Sequence, residues 1–97
     1  MAIFVVKRVR GSGWNESLPL EQQDDWPAHA AFMDNLYDEG FVVLVGPLEG
    51  TREFLLIVRA ESTDEVSSRL AADCWVHKDI SRIVDVRPWQ LRLGSLD

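Results

Sequence analysis

Residues 41–58 read FVVLVGPLEGTREFLLIV and consist of two apolar runs separated by a turn. The runs 41–45 and 54–58 are each five residues long. Gly46 and Pro47, followed by Gly50, favour a reversal of the chain between the runs. Neither run alternates between apolar and polar residues, which is typical of strands that are buried on both faces. The stretch therefore predicts an antiparallel hairpin, the second and third strands of a sheet.

The chain before this hairpin predicts one strand and one helix. Residues 2–9 are rich in Ile, Phe and Val and favour a first strand. A polar loop of more than ten residues follows, which is long for a small domain. Asp24 or Asp25 can cap a helix that runs to about Glu39, and Gly40 favours a left-handed helix end.

The chain after the hairpin predicts a helix, a turn and a strand. Ser62 or Thr63 can cap a second helix. Residues 73–78 predict a short turn or a single helical turn, and residues 80–87 predict a fourth strand that Pro88 interrupts. The order βαββαβ is that of the ferredoxin-like fold, an α+β architecture whose antiparallel sheet carries both helices on one face.

Composition limits the class of protein. The 97 residues fit one domain, which we place at 1–97. The net charge of −6, from 16 acidic and 10 basic residues, argues against the basic face of a nucleic-acid-binding protein. No stretch approaches the ~20 apolar residues of a membrane span. The single cysteine, Cys74, excludes an intramolecular disulfide, so we expect a reducing cytoplasm.

The two apolar runs also predict a homodimer. An antiparallel sheet with one face in water should alternate apolar and polar residues. Residues 42–45 and 55–58 are apolar throughout, and two helices can cover only one face of the sheet. An apolar face of that extent is an interaction site, and a second copy of the chain is the simplest cover. We therefore expect a two-fold dimer, with Val43 and Ile57 among the outward positions.

His29 is the side chain best suited to chemistry. Helical spacing places it about 40° from Met33, the centre of the buried stripe, so it points toward the sheet. An imidazole in a partly apolar setting suits general acid–base catalysis. The alternative is a core histidine held by one hydrogen bond. Asp25, four residues earlier on the same helix, can reach His29, and Asp73 is a second candidate partner that the fold could bring close.

Other reactive groups carry less weight. Cys74 follows Asp73, whose charge disfavours a thiolate, so we expect a buried and inert thiol. One cysteine and two histidines without ligand spacing predict no metal site. The glycines of 11–13 and 46–50 lack the spacing of a phosphate-binding loop, so we expect no nucleotide and no other cofactor.

Five short motifs together resemble the YCII-related family. In chain order they are WPAH (26–29), DEG (38–40), GPL (46–48), ADCWV (72–76) and VRPW (86–89). The resemblance implies a ferredoxin-like dimer, the dimeric α/β barrel, which agrees with the fold and the dimer predicted from the strand pattern. It also implies that a histidine of the first helix and an aspartate of an Asp-Pro-aromatic turn form the active-site pair. By position these are His29 and Asp73, with Cys74 in place of the family's proline.

These observations lead to two hypotheses. The first is a cofactor-independent enzyme of the isomerase, lyase or dehydrochlorinase type, acting on a small carbonyl, lactone or phenol-type molecule. In it His29 moves a proton and Asp73 orients the imidazole, while Trp14, Trp75 and the 46–47 turn shape the pocket. The alternative is a non-catalytic ligand-binding or assembly module built on the same dimeric barrel.

Overall fold

Residues 1–96, which the computed structural model describes, form four strands and three α-helices. Their bounds are β1 Ala2–Arg10, α1 Trp26–Asp38, β2 Val42–Pro47, β3 Glu53–Ala60, α2 Thr63–Leu70, α3 Cys74–His77 and β4 Ser81–Pro88. The loop between β1 and α1 contains a 3-10 turn at Leu20–Gln22. The predicted βαββαβ order is confirmed, and α3 is the single helical turn expected before the fourth strand. None of these helices is long and apolar enough to cross a membrane.

The sheet has the order β2-β3-β1-β4, and every neighbouring pair is antiparallel. Alternate residues of the two central strands face α1 and α2, because successive side chains of a strand point to opposite faces. The core between the sheet and the two helices includes Phe4, Val6, Leu56, Val58, Met33, Leu36, Val66 and Leu70. Both helices therefore pack on one face, which confirms the predicted α+β, ferredoxin-like fold.

The other face of the sheet carries an apolar centre. Ile57 pairs with Val5 of β1 and with Leu44 of β2, and directly opposed residues share a face. Leu55 lies two residues along β3 on the same face. We call Val5, Leu44, Leu55 and Ile57 the outer face. Leu44 is 57% exposed there.

A β-bulge interrupts the register between β2 and β3 at Val43. The register of β2 against β3 shifts between Val42 and Leu44, so the extra residue Val43 has no direct partner. Val43 and Leu44 together therefore oppose Ile57. The register places Ile57 on the face away from the helices, as predicted, and the outward position of Val43 stays a prediction.

The helix caps follow the sequence prediction only in part. Asp25 is the N-cap of α1 but has a left-handed backbone, φ 60°, and its side chain makes no capping bond. Its carboxylate instead forms an ion pair with Lys78, 2.7 Å from Nζ. Ser62 caps α2 as predicted, with its Oγ accepting from the amide of Glu65 at 3.1 Å. Predicted capping by Asp25 was therefore wrong, whereas capping by Ser62 is confirmed.

Pro88 ends β4 without displacing it. It remains in register with Phe4 at the edge of the sheet, where a residue without an amide proton is tolerated. The amide of Trp89 then donates to the carbonyl of Ile3 at 2.8 Å. Trp89 thus extends the ladder by one bond, as an edge extension of the fourth strand.

Candidate functional site

The N-terminus of α3 places Asp73 in the interior. Asp73 is the N-cap of this helix, and its Oδ1 accepts from the amide of Trp75 at 3.0 Å. The side chain is fully buried. The remaining acceptor positions of the carboxylate are directed to groups from α1 and β1.

His29 of α1 bonds to this carboxylate. Its Nδ1 lies 2.8 Å from Oδ2 and 3.0 Å from Oδ1 of Asp73. Asp25 does not fill this role, because its carboxylate pairs with Lys78 and only its backbone carbonyl accepts from the amide of His29. Of the two carboxylates left open by the sequence, Asp73 is therefore the one that contacts His29.

Arg8 of β1 completes a buried cluster of three charged or titratable groups. Its Nη2 lies 3.1 Å from Oδ2 of Asp73, and its side chain is 3% exposed. Burial lowers the pKa of Arg8, and the nearby charge of Asp73 opposes that shift. A guanidinium nevertheless stays protonated in proteins. Sequence reasoning missed Arg8, although it follows Phe4 and Val6 at the inward spacing of the strand.

The environment keeps Asp73 ionised. Burial alone would raise the pKa of this carboxyl, but the hydrogen bond and charge of His29, the Trp75 amide and Arg8 together hold the pKa below its usual value. An ionised carboxylate only accepts hydrogen bonds, so Nδ1 of His29 carries the proton. In the uncharged tautomer of the imidazole the lone pair then lies on Nε2. No hydrogen bond joins Nε2 to another residue within 1–96.

Aromatic rings fix the plane of the imidazole. The His29 ring stacks on Trp75 with centroids 3.8 Å apart and planes 3° apart. Trp75 is held in turn by its Nε1, which donates to the carbonyl of Asp24 at 2.7 Å, and by Trp14, which packs edge-on against it at 5.8 Å. Trp26 packs against the rings of His29 and Trp75, with centroids 5.7 and 5.8 Å away. The imidazole is therefore held in one orientation.

A cavity of about 360 Å³ opens between α1 and the sheet beside this ring. Its lining includes Arg8, Leu20, Trp26, His29, Ala30, Met33, Asp34, Val45, Gly46, Pro47, Phe54, Leu56, Trp75 and Ser81. The volume is near the lower end of small-molecule sites, and the lining is mostly apolar with a few polar groups, as such sites usually are.

The predicted site residues divide into three positions. Gly46, Pro47 and Trp75 line the cavity together with His29. Asp73 is not among the lining residues and lies behind His29. Trp14 lines a smaller neighbouring cavity, so it supports Trp75 from behind and does not shape the main one.

The long loop before α1 is anchored at Gln23. This side chain is buried, and its amide group bonds to both the backbone NH and the carbonyl of Asn15 at 2.8 Å and to the carbonyl of Leu18 at 2.9 Å. The anchored loop supplies Leu20 to the cavity wall. The loop is therefore part of the built site.

Cys74 is half-buried, and not fully buried as predicted, and it is a poor nucleophile in this setting. Burial raises the pKa of its thiol, and the charges of Asp73 and Asp25 raise it further. The thiolate, which is the reactive form, is thus disfavoured at neutral pH. Within the described residues no group of three His, Cys, Asp or Glu side chains is arranged to hold a metal ion.

The depressed pKa of Asp73 predicts a loss of stability in acid. A carboxyl whose pKa is lower in the folded protein contributes stability that is complete above its ordinary value, here 3.8, and is lost as the pH falls through the folded value. We expect Asp73→Asn to reduce the slope of unfolding free energy against pH below about pH 5. Urea unfolding at a series of pH values measures it. The same slope in both proteins would contradict the assignment.

Comparisons with known proteins give one family and one fold. A family model described as the YCII-related domain matches residues 14–90. A search of curated proteins found no match. Among solved structures, the 5-chloro-2-hydroxyhydroquinone dehydrochlorinase TftG from Burkholderia phenoliruptrix AC1100, in complex with 2,5-dihydroxybenzoquinone, is similar with a TM-score of 0.65. The two chains share 24% identity over 95% of each, a likeness that establishes the shared fold.

Proposed function

Since the chain belongs to the YCII-related family, we propose that it is a cofactor-independent enzyme that moves a proton on a small carbonyl, lactone or phenol-type molecule. The observation that carries this proposal is the bond between His29 Nδ1 and Asp73 at 2.8 Å. It leaves the other nitrogen of a cavity-lining imidazole available as a base.

In the proposed reaction His29 acts as the general base and Asp73 as its positioning residue. Nε2 takes a proton from a carbon next to a carbonyl. The electron pair of that C–H bond forms a C=C bond, and the π pair of the carbonyl moves to its oxygen, which gives an enolate. The carboxylate of Asp73 stabilises the imidazolium that forms, as the aspartate of a catalytic triad does. A base of this kind contributes about 10²–10⁴-fold to the rate.

The events that accompany or follow proton removal decide the reaction class. Return of the proton from His29 to a different carbon is an isomerisation. For a chlorinated hydroquinone, dehydrochlorination starts from the keto tautomer, in which one hydroxyl proton has moved to the carbon that bears chlorine. His29 then takes the proton of a second ring hydroxyl, the O–H electron pair forms a C=O bond, the ring double bond shifts onto the chlorine-bearing carbon, and chloride leaves, so that a quinone, H⁺ and Cl⁻ are the products. The name of TftG describes the second outcome, so chlorinated hydroquinones are the first compounds to assay.

The test compares chloride release by matched histidine variants. With 5-chloro-2-hydroxyhydroquinone as the probe, we expect His29→Gln to lower kcat by about 10²–10⁴-fold, since glutamine cannot accept the proton. His77→Gln, which changes the exposed histidine at the end of α3, should keep the wild-type rate. Equal rates in His29→Gln and wild type would contradict the role of His29. If the wild type turns over neither this compound nor lactone and enol substrates, the result would contradict the proposal that the protein is an enzyme.

A structural role for His29 is the second candidate. It is favoured by two contacts, the stacking on Trp75 at 3.8 Å and the bond to Asp73. Contacts of this kind also hold a histidine that only stabilises the fold. Thermal denaturation of His29→Gln separates the two. A large fall in melting temperature supports the non-catalytic module, whereas an unchanged or higher one supports a site retained for function at some cost in stability.

We place this activity in the cytoplasm, on the argument that the sequence contains only one cysteine. Neither a metal nor an organic cofactor has a role in the proposed reaction, because a base, an orienting carboxylate and a shaped cavity are sufficient for proton transfer.

A further inference from the structure

We propose that Arg8 forms a subsite for an anionic oxygen, so that the cavity binds a planar ligand in its phenolate or enolate form. This inference deepens the proposed function and rests on it, since both place the ligand against His29 in the same cavity. It adds the charge state of the ligand and the group that recognises it.

The first support is a set of unpartnered donors on a buried cation. Arg8 lines the cavity and is 3% exposed. Its Nε and Nη2 are buried and make no hydrogen bond within the described residues. Buried polar groups are bonded in the great majority of cases, and charged ones above all. Donors left open beside a cavity therefore indicate a partner that arrives with the ligand.

Asp73 does not supply that partner. Nη2 lies 3.1 Å from Asp73 Oδ2, close enough for an ion pair but without the alignment of a hydrogen bond. The carboxylate is already bonded to His29 and to the Trp75 amide. Asp73 compensates the charge of Arg8, and it leaves Nε and Nη2 without a hydrogen bond.

The arrangement of charges favours an anion in the cavity. Arg8 and His29 line the wall, and Asp73 lies behind them. The acid that does line the cavity is Asp34, an exposed residue of α1, where water screens its charge. A ligand oxygen in the cavity therefore faces the guanidinium more directly than it faces either carboxylate.

The same geometry suits the proposed chemistry. When His29 removes a proton, negative charge develops on an oxygen of the ligand. A preorganised cation on a buried side chain stabilises such a charge. Arg8 would thus bind the substrate oxygen and gain strength as the enolate forms. An aromatic wall of Trp26, Phe54 and Trp75 suits a planar ring next to that oxygen.

Binding of nitrophenyl probes tests the subsite without requiring turnover. 4-Nitrophenol ionises near neutral pH and changes colour when it does, and 4-nitroanisole is the same ring with a neutral methyl ether. We expect 4-nitrophenol to titrate about one pKa unit or more lower when bound than when free, which is a tenfold preference for the phenolate. 4-Nitrobenzoate tests the other source of an anionic oxygen, and tighter binding of it than of the phenolate would overturn the phenolate assignment.

Variants assign the shift to Arg8. Arg8→Gln should abolish it and leave 4-nitroanisole binding unchanged, while Arg8→Lys should retain part of it. Arg52→Gln, which removes an exposed positive charge that pairs with Glu16, should keep the full shift. If Arg8→Gln does not fold, the wild-type shift and its reduction in Arg8→Lys decide the question.

Besides tighter binding of 4-nitrobenzoate, three results would overturn the inference: an unshifted or raised pKa of the bound phenol, an equal shift in Arg8→Gln, or no binding of any of the probes at millimolar concentration. Binding is measured apart from chloride release, so the outcomes are distinguishable. A lowered pKa of the bound probe in a protein without turnover supports the Arg8 subsite and contradicts the proposed enzymatic activity. Turnover without a lowered pKa supports the activity and contradicts the subsite.

Discussion

Replacing Trp75 with alanine should lower the free energy of unfolding by about 3–5 kcal/mol. Trp75 is 1% exposed and forms a core cluster with Trp14 and Ile80. Removing the indole leaves a cavity that the neighbouring rings cannot fill. It also removes the donor to the carbonyl of Asp24.

This loss is a large share of the total, because small domains are stable by only about 5–15 kcal/mol. Trp75→Phe should cost less, since it keeps an aromatic face for the His29 ring. Tyr37→Ala, which removes a 62% exposed aromatic side chain from α1, is the matched control and should change the unfolding free energy by about 0.5 kcal/mol or less. Urea unfolding measures all three. A loss no larger in Trp75→Ala than in Tyr37→Ala would contradict a supporting role for this cluster.

Much of the fold could be predicted because local signals agreed with one another. Gly40 marked the end of α1, and Ser62 marked the start of α2. Gly46 and Pro47, predicted to lie in the turn, instead belong to β2 and pair with β3, so that prediction was wrong and the chain reverses after Pro47. The bulge at Val43 could not be predicted, since it inserts one apolar residue into an apolar run and changes no pattern in the sequence. The side chain of Asp25 was equally hidden, because Lys78, its partner, is distant in the chain.

The sequence predicted the position of His29 in the site, and it predicted the residues around His29 less well. Helical spacing alone turned His29 toward the sheet, and the resemblance pointed to Asp73 as its partner. Arg8 was missed because the first strand was predicted from its content of Ile, Phe and Val, and the side to which each residue points was not considered. Its inward positions are Phe4, Val6 and then a cation. The exact placement of Trp14, behind Trp75 and away from the main cavity, depends on packing between distant segments that no local pattern records.

The homodimer stays a prediction, and the outer face now gives it a sharper test. Val5, Leu44, Leu55 and Ile57 form an apolar centre on the side of the sheet opposite the helices. Burying a few hundred Å² of such a surface per subunit contributes roughly several kcal/mol at ~25 cal/mol per Å². We expect a dimer at micromolar concentration and a melting temperature that rises with protein concentration.

Leu44→Asp should remove this stabilisation and leave a protein that unfolds or aggregates. Leu44 is 57% exposed in the single chain, whereas Ile57 is 6% exposed. A charge at Leu44 therefore does little to the packing of one subunit and acts mainly on an apolar partner, because an unpaired charge is costly to bury. Ile57→Asp would disturb both the packing within one subunit and the contact with the partner. Tyr37→Asp, on an exposed position of α1, should leave the dimer intact. Light scattering gives the mass, and a single folded species of one chain in the wild type would contradict the dimer.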